Sequence, residues 1–182
     1  NRRGDFSWKY REPGSENWII KMLVTNSPIW DWAEQLLGKG EVVHPHHAKS
    51  GQGAPPPGRL RGIYGVLPEG DIPEKRPVGH SDGGFFHLGI TGLIDHVAPR
   101  GGAFTVWPKS HRILYYAYTS QYHAHHADGF DEKIELINRE PYVDCHGGPG
   151  DIVFWHHRMA HTAGHNRSRE IRKAVLYDFR KK

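Results

Sequence analysis

Apolar residues in this chain come in short bursts separated by Gly, Pro and polar stretches, and the period within a burst decides what it becomes. Two bursts read as helices. In Pro28–Leu37 (PIWDWAEQLL), Ser27 can cap the first turn and Pro28 suits the first helical position. Asp31 and Glu34 suit the early turns, and Gly38 follows as a stop. Residues 131–138 (DEKIELIN) form a shorter candidate, with Ile134 and Ile137 three apart on one face. Five further bursts, at 61–67, 85–97, 103–107, 151–156 and 172–179, are rich in β-branched and aromatic residues and are bounded by Gly or Pro, so they read as strands. Many short strands with Gly/Pro turns predict a sandwich or barrel. Two stretches carry no such pattern: 44–59 (HPHHAKSGQGAPPPGR) and 115–130 (YYAYTSQYHAHHADGF). Loops of that length in a small domain are candidates for the rim of an active site.

Composition narrows the class. A length of 182 residues suits one domain. Six Trp, seven Phe and eight Tyr supply an aromatic core, which excludes wholesale disorder. The net charge of +4 is spread along the chain rather than gathered into a basic stripe, which argues against a nucleic-acid partner. No apolar run approaches the ~18 residues of a membrane span. The Asn-Arg-Arg-Gly start is no signal peptide, so the expected location is cytoplasmic. Because the chain does not begin with Met, part of the N-terminal region is expected to be missing. A single Cys rules out an internal disulfide and any thiolate zinc cluster. With 15 His present, any metal would be held by His and carboxylate.

A non-haem iron site needs two His and one carboxylate on one side of the ion, and two of these often arrive as His-x-Asp. Residues two apart on a strand point the same way and can reach one ion. Two such tripeptides occur, His80-Ser81-Asp82 and His126-Ala127-Asp128, and with 15 His in the chain about one is expected by chance. Context favours the first. It follows a Pro/Gly loop and precedes Gly83-Gly84 and an apolar strand, whereas the second lies in a polar, His-crowded loop. His156, His157, His161 and His165 are all open as the third ligand. A dicarboxylate co-substrate would also require a cation, and Arg172 opens the last strand on a face with Ala174 and Leu176.

Three blocks together resemble the phytanoyl-CoA dioxygenase-like family of Fe(II)/2-oxoglutarate oxygenases. They are His80-Ser-Asp82, Arg100-Gly-Gly-Ala-Phe-Thr-Val-Trp-Pro-Lys-Ser-His-Arg112, and Pro149-Gly-Asp-Ile-Val-Phe-Trp-His through His161-Thr-Ala-Gly-His-Asn-Arg-Ser to Arg172. The resemblance implies a mainly β double-stranded β-helix, a cupin-like jelly roll with a few peripheral helices. It makes residues 1–182 a single oxygenase domain lacking part of the usual N-terminal helical region. It assigns His80, Asp82 and His161 as catalytic iron ligands, Arg172 as partner of the distal carboxylate of 2-oxoglutarate, and Thr91 as a further co-substrate contact. The implied cofactors are Fe(II), 2-oxoglutarate and O₂, and the implied reaction is hydroxylation of a C–H bond in a small-molecule substrate with release of succinate and CO₂. Asp82 favours hydroxylation, or another oxidation, over halogenation, since related halogenases lack this carboxylate. Metal affinity is expected to fall as pH drops through the ordinary His range near ~6.5.

The chain departs from the family in two places. Ala163 stands where relatives often have a carboxylate-holding Ser, with Thr162 or Ser168 as substitutes, and Lys109 stands where the turn usually has Gly. His111 reads as structural, and His44, His46, His47, His123, His125 and His126 as solvated loop residues. One of His156, His157 and His165 is expected to back the third ligand. Phe85, Phe86, Trp107 and Trp155 read as core. Two readings compete: a cupin-type metal-dependent isomerase or hydrolase, which would need no Arg172, and a non-catalytic jelly-roll binding domain.

Overall fold

Ser27 accepts from the Ile29 amide at 3.3 Å, and Gly38 takes a φ of 113° to end helix α2 (Pro28–Leu37), so the local signals alone fix both ends. The computed structural model describes residues 15–45, 58–71, 73, 75–83, 86–120 and 125–182. A short helix α1 (Ser15–Ile20) and a π-helical turn (Lys21–Thr25) precede α2. They were not predicted, because Trp18–Ile20 shows as a bare apolar run without a cap. The second expected helix is α4 (Phe130–Arg139). A further one-turn helix, α3 (Ser110–Leu114), falls in the second family block.

Among the described residues, seven strands form two antiparallel sheets. The larger has the order β1–β7–β2–β5, with β1 (Arg59–Val66), β2 (Leu88–Leu93), β5 (Ile152–His156) and β7 (Arg172–Phe179). The smaller has the order β4–β3–β6, with β3 (Phe104–Val106), β4 (Val143–Cys145) and β6 (His161–Ala163). An isolated bridge from His80 to His161 adds a fourth strand position at its β6 edge. This is the mainly β, double-stranded β-helix that the sequence implies. The expected strand 85–97 is shorter, Leu88–Leu93; beyond it the chain bends, and Val97 returns to bridge Gly147. Phe85 lies outside the described residues.

All six residues of β2 are buried, because both faces of the larger sheet are covered. Leu88 and Ile90 join Tyr177, Phe179 and the α1–α2 residues Ile20, Val24, Ile29 and Ala33 in an outer core. The alternate positions face the smaller sheet: Leu93 packs with Val97, Ala103 and Ala174, and Trp155 with Phe86 and Phe104. Strand alternation thus separates a helix-packed face from an inner face, and Trp155, Ala174 and Arg172 lie on the inner one.

Of the two expected loops, residues 46–57 and 121–124 lie outside the described residues. The remainder of 115–130 is more packed than a surface lid. Ala117, Tyr118 and Phe130 belong to a third core with Leu114, Ile137 and Trp107. The Arg158 guanidinium donates to the carbonyls of Tyr115 and Ser120 at 2.5 and 2.9 Å, which ties this segment to the β5–β6 turn. At the start of α3, Lys109 adopts a φ of 69°. That left-handed conformation explains the family preference for Gly there.

Candidate metal centre

His80 and His161 are joined by their own backbones. The His80 amide donates to the His161 carbonyl at 3.0 Å, and the His161 amide donates back at 2.9 Å. Paired residues on adjacent antiparallel strands share a face, so both imidazoles project to the same side, with ring centroids 4.7 Å apart. Asp82 follows two residues after His80 and reaches the same point. One donor atom from each of His80, Asp82 and His161 lies within 4.8 Å of the other two, and no other group of three or more His, Cys, Asp or Glu does so among the described residues. His80 lies outside the regular strands, and a single bridge holds it.

The three side chains sit at different depths. His161 is 7% exposed, Asp82 17% and His80 60%, so the cluster opens to solvent on the His80 side. His161 packs against Trp155 (4.5 Å between centroids) and Phe104 (5.3 Å). Gly89 makes room for this, since a Cβ there would collide with the Trp155 ring. The His161 Nδ1 lies 2.8 Å from the Met159 carbonyl, which can only accept. Nδ1 therefore carries the proton, and the Nε2 lone pair points to the cluster. The second family block supports the same strand: Ser110 Oγ accepts from the Ala160 amide at 2.8 Å, one residue before His161.

Electrostatics favours a neutral His161 beside an ionised Asp82. Burial lowers the His161 pKa to about 4 despite the adjacent Asp82. The ring therefore remains neutral well below the ordinary range, and the expected loss of ligand capacity near ~6.5 does not apply to it. Burial alone would raise the Asp82 carboxyl, but His161, Arg61 and His80 hold it below the usual value. Burial and neighbouring cations lower His156 to about 4 and His157 to about 3.

Arg172 is 6% exposed, and among the described residues its one side-chain hydrogen bond runs from Nε to the Gly102 carbonyl at 2.7 Å. No carboxylate pairs with it there, and burial lowers its pKa to about 10. A buried cation without a counter-ion is costly and marks a place for an anion. Thr91 is 1% exposed, and its Oγ1 has no hydrogen-bond partner among the described residues. It lies in register with Leu176 on β7 and Val153 on β5. Arg172 and Leu176 are four apart on β7 and share its inner face with Ala174. Of the two proposed substitutes for the family Ser, Ser168 already donates its one hydroxyl proton to Asn166 Oδ1 at 2.7 Å, with the Glu170 carbonyl 3.1 Å away. Ala163 offers no hydroxyl.

The other tripeptide behaves differently. His126 stacks flat on Phe130, with centroids 3.5 Å apart and 5° between planes. His111 faces His156 at 5.6 Å, and His165 Nδ1 pairs with the Glu69 carboxylate at 2.8 Å. None of them enters the cluster. Sequence reasoning missed Arg61. Its Nη2 donates to Asp82 Oδ2 at 2.6 Å, and its Nε to both oxygens of the buried Asp178 at 2.8 and 2.9 Å. The β1–β7 register slips between Leu60 and Gly62, and this bulge places Arg61 beside Asp178.

The Phytanoyl-CoA dioxygenase (PhyH) family profile matches residues 77–174, just over half of the chain, and includes all three clustered residues and Arg172. The chain belongs to the phytanoyl-CoA dioxygenase family. Solved structures agree on the fold. EvdMO1 superposes with a TM-score of 0.54 at 16% identity over 99% of this chain and 39% of its own. The epimerase SnoN, in complex with Fe³⁺, alpha-ketoglutarate and nogalamycin RO, gives 0.54 at 21% identity over 97% of this chain and 68% of its own. EctD from S. alaskensis with bound Fe gives 0.53 at 15% identity over 94% and 60%. The chain thus spans well under half of EvdMO1. No curated protein matches in a sequence search. No helix among the described residues is long and apolar enough to cross a membrane.

Proposed function

We propose that this chain is the catalytic domain of a non-haem Fe(II)- and 2-oxoglutarate-dependent dioxygenase that hydroxylates a C–H bond of a small molecule. The observation that carries this reading is the pairing of a His–Asp–His cluster, its donor atoms within 4.8 Å, with a buried Arg172 that has no carboxylate partner among the described residues. His80, Asp82 and His161 would hold the iron as two imidazoles and a carboxylate on one side, which suits Fe(II) with open positions opposite. Arg172 would take the distal carboxylate of 2-oxoglutarate, and Thr91 Oγ1 would donate to the same co-substrate. Both are buried polar groups that such a ligand would satisfy. Iron held there would supply the oxidising chemistry, in which one atom of O₂ would go to succinate, formed from 2-oxoglutarate with loss of CO₂, and the other into the substrate C–H bond.

The chain's own residues do the rest. The Met159 carbonyl fixes the His161 tautomer. Trp155 and Phe104 cover His161 and keep water off the inner face. The exposed His80 side is where substrate would enter. Ser81, between two of the proposed ligands, is hydrogen-bonded to the Tyr118 hydroxyl, so the 115–120 segment borders that entrance. EctD and SnoN are structures of proteins with Fe or Fe³⁺ bound, and SnoN also holds alpha-ketoglutarate and a nogalamycin. Those ligands support the cofactor set and a small-molecule substrate for this chain as well. A cupin-type isomerase or hydrolase would use the same cluster but would leave the cost of burying Arg172 unexplained.

The test supplies Fe(II) and 2-oxoglutarate without oxygen, follows visible absorption, then admits air and quantifies succinate. A visible band followed by succinate is expected. Neither would remove the reading. In Arg172→Ala, half-saturation by 2-oxoglutarate should rise about 100-fold, the effect of losing a buried charge-assisted fork. Unchanged half-saturation would remove the Arg172 assignment.

A further inference from the structure

Asp82 has two oxygens, and the structure treats them differently. Oδ2 accepts from Arg61 Nη2 at 2.6 Å and lies 3.5 Å from His161 Nε2. Oδ1 lies 3.9 Å from His80 Nε2 and accepts no hydrogen bond from a described residue. Arg61 in turn cannot swing away. Its Nε donates to both oxygens of Asp178, whose side chain is 2% exposed, and its guanidinium carbon lies 4.9 Å from the Phe86 ring centroid and 5.5 Å from that of Trp155. Phe86 and Trp155 are themselves buried and in edge contact at 5.1 Å. The planar fork is held on one edge by Asp178 and lies over two rings, so it presents Nη2 at a fixed point.

A carboxylate free to rotate can bind a cation through one oxygen or both. Binding through both would fill a coordination position that a chelating co-substrate needs. We propose that Arg61, braced by Asp178, is a positioning residue that holds Asp82 Oδ2 and leaves Oδ1 alone for the metal ion. The proposal rests on His80, Asp82 and His161 being the metal ligands. Outer partners that orient a ligand carboxylate typically change metal affinity 10–100-fold when removed.

Replacing Arg61 alone would leave the buried Asp178 with only the more exposed Arg59, whose Nε donates to Oδ2 at 3.2 Å, a cost to folding unrelated to the metal. The informative variant therefore removes both charges together, Arg61→Met with Asp178→Asn. The full chain is titrated with Co(II) as probe, and its visible absorption is recorded at saturation. Melting temperature of the metal-free protein serves as the control. The double variant should melt near the wild type, bind Co(II) about 10–100-fold more weakly, and show an altered visible band. Arg61→Lys keeps the charge but loses the fork, and it should weaken binding by a smaller factor. Wild-type affinity and an unchanged band in the double variant would overturn the role of Arg61 and leave the His–Asp–His assignment standing. The same result in Arg61→Lys would overturn it if the double variant did not fold. A wild-type chain that binds no Co(II) would overturn both.

Discussion

The chain contains the tripeptide His-x-Asp twice, and the two copies meet opposite fates. His80-Ser81-Asp82 lies against the β6 edge, where a backbone bridge brings it to His161 and an arginine grips its carboxylate. His126-Ala127-Asp128 lies ahead of α4, where His126 bridges Tyr118 and spends its ring on Phe130. Identical side chains at identical spacing give one candidate metal centre and one packed turn. A tripeptide carries chemistry only where the fold supplies a third ligand and an outer partner.

The largest effect expected from this contrast is all-or-none. Asp82→Ala or His161→Ala should reduce succinate formation and metal binding to background, while Asp128→Ala should leave both unchanged and shift stability by no more than about 0.5 kcal/mol. An inactive Asp128→Ala with an active Asp82→Ala would reverse the comparison. Acid should act next, and on the first region. His156, His157 and His161 have folded-state pKa values of about 4, 3 and 4, below the ordinary value of 6.5. The unfolded chain therefore binds protons that the folded chain refuses. Stability is fully present above about 6.5 and is lost as pH falls from there towards about 4. Melting temperature of the metal-free protein against pH checks this, and His157→Gln should flatten the slope. The smallest effect belongs to the second copy. His126→Ala loses one stacked pair, worth roughly 0.5–1.5 kcal/mol, and should lower the melting temperature while leaving metal binding intact.

Local signals made α2 and β7 legible, because a cap and an apolar, aromatic run need no partner to declare themselves. The three-residue strands β4 and β6 were not, since each becomes a strand only when paired with β3. The same divide runs through the site. The cluster of His80, Asp82 and His161 could be read from spacing and family likeness together. Arg61 could not, because a one-residue slip in the β1–β7 register places it beside Asp178, and register is invisible in a single chain. Gly62, a glycine inside a strand pattern, is the trace this bulge leaves in the sequence, and it takes a φ of 120°.

The reciprocal amide bonds between His80 and His161 have a consequence for measurement. Two donors of the cluster are spaced by one rung of a ladder at the margin of the smaller sheet, where fraying is easiest. Their own N–H groups then report on the centre directly. Deuterium uptake at those two amides should slow together when a cation bridges the imidazoles above them, while amides of the fully buried β2 stay as they were. Occupancy could thus be followed in time, residue by residue, without a substrate and without turnover.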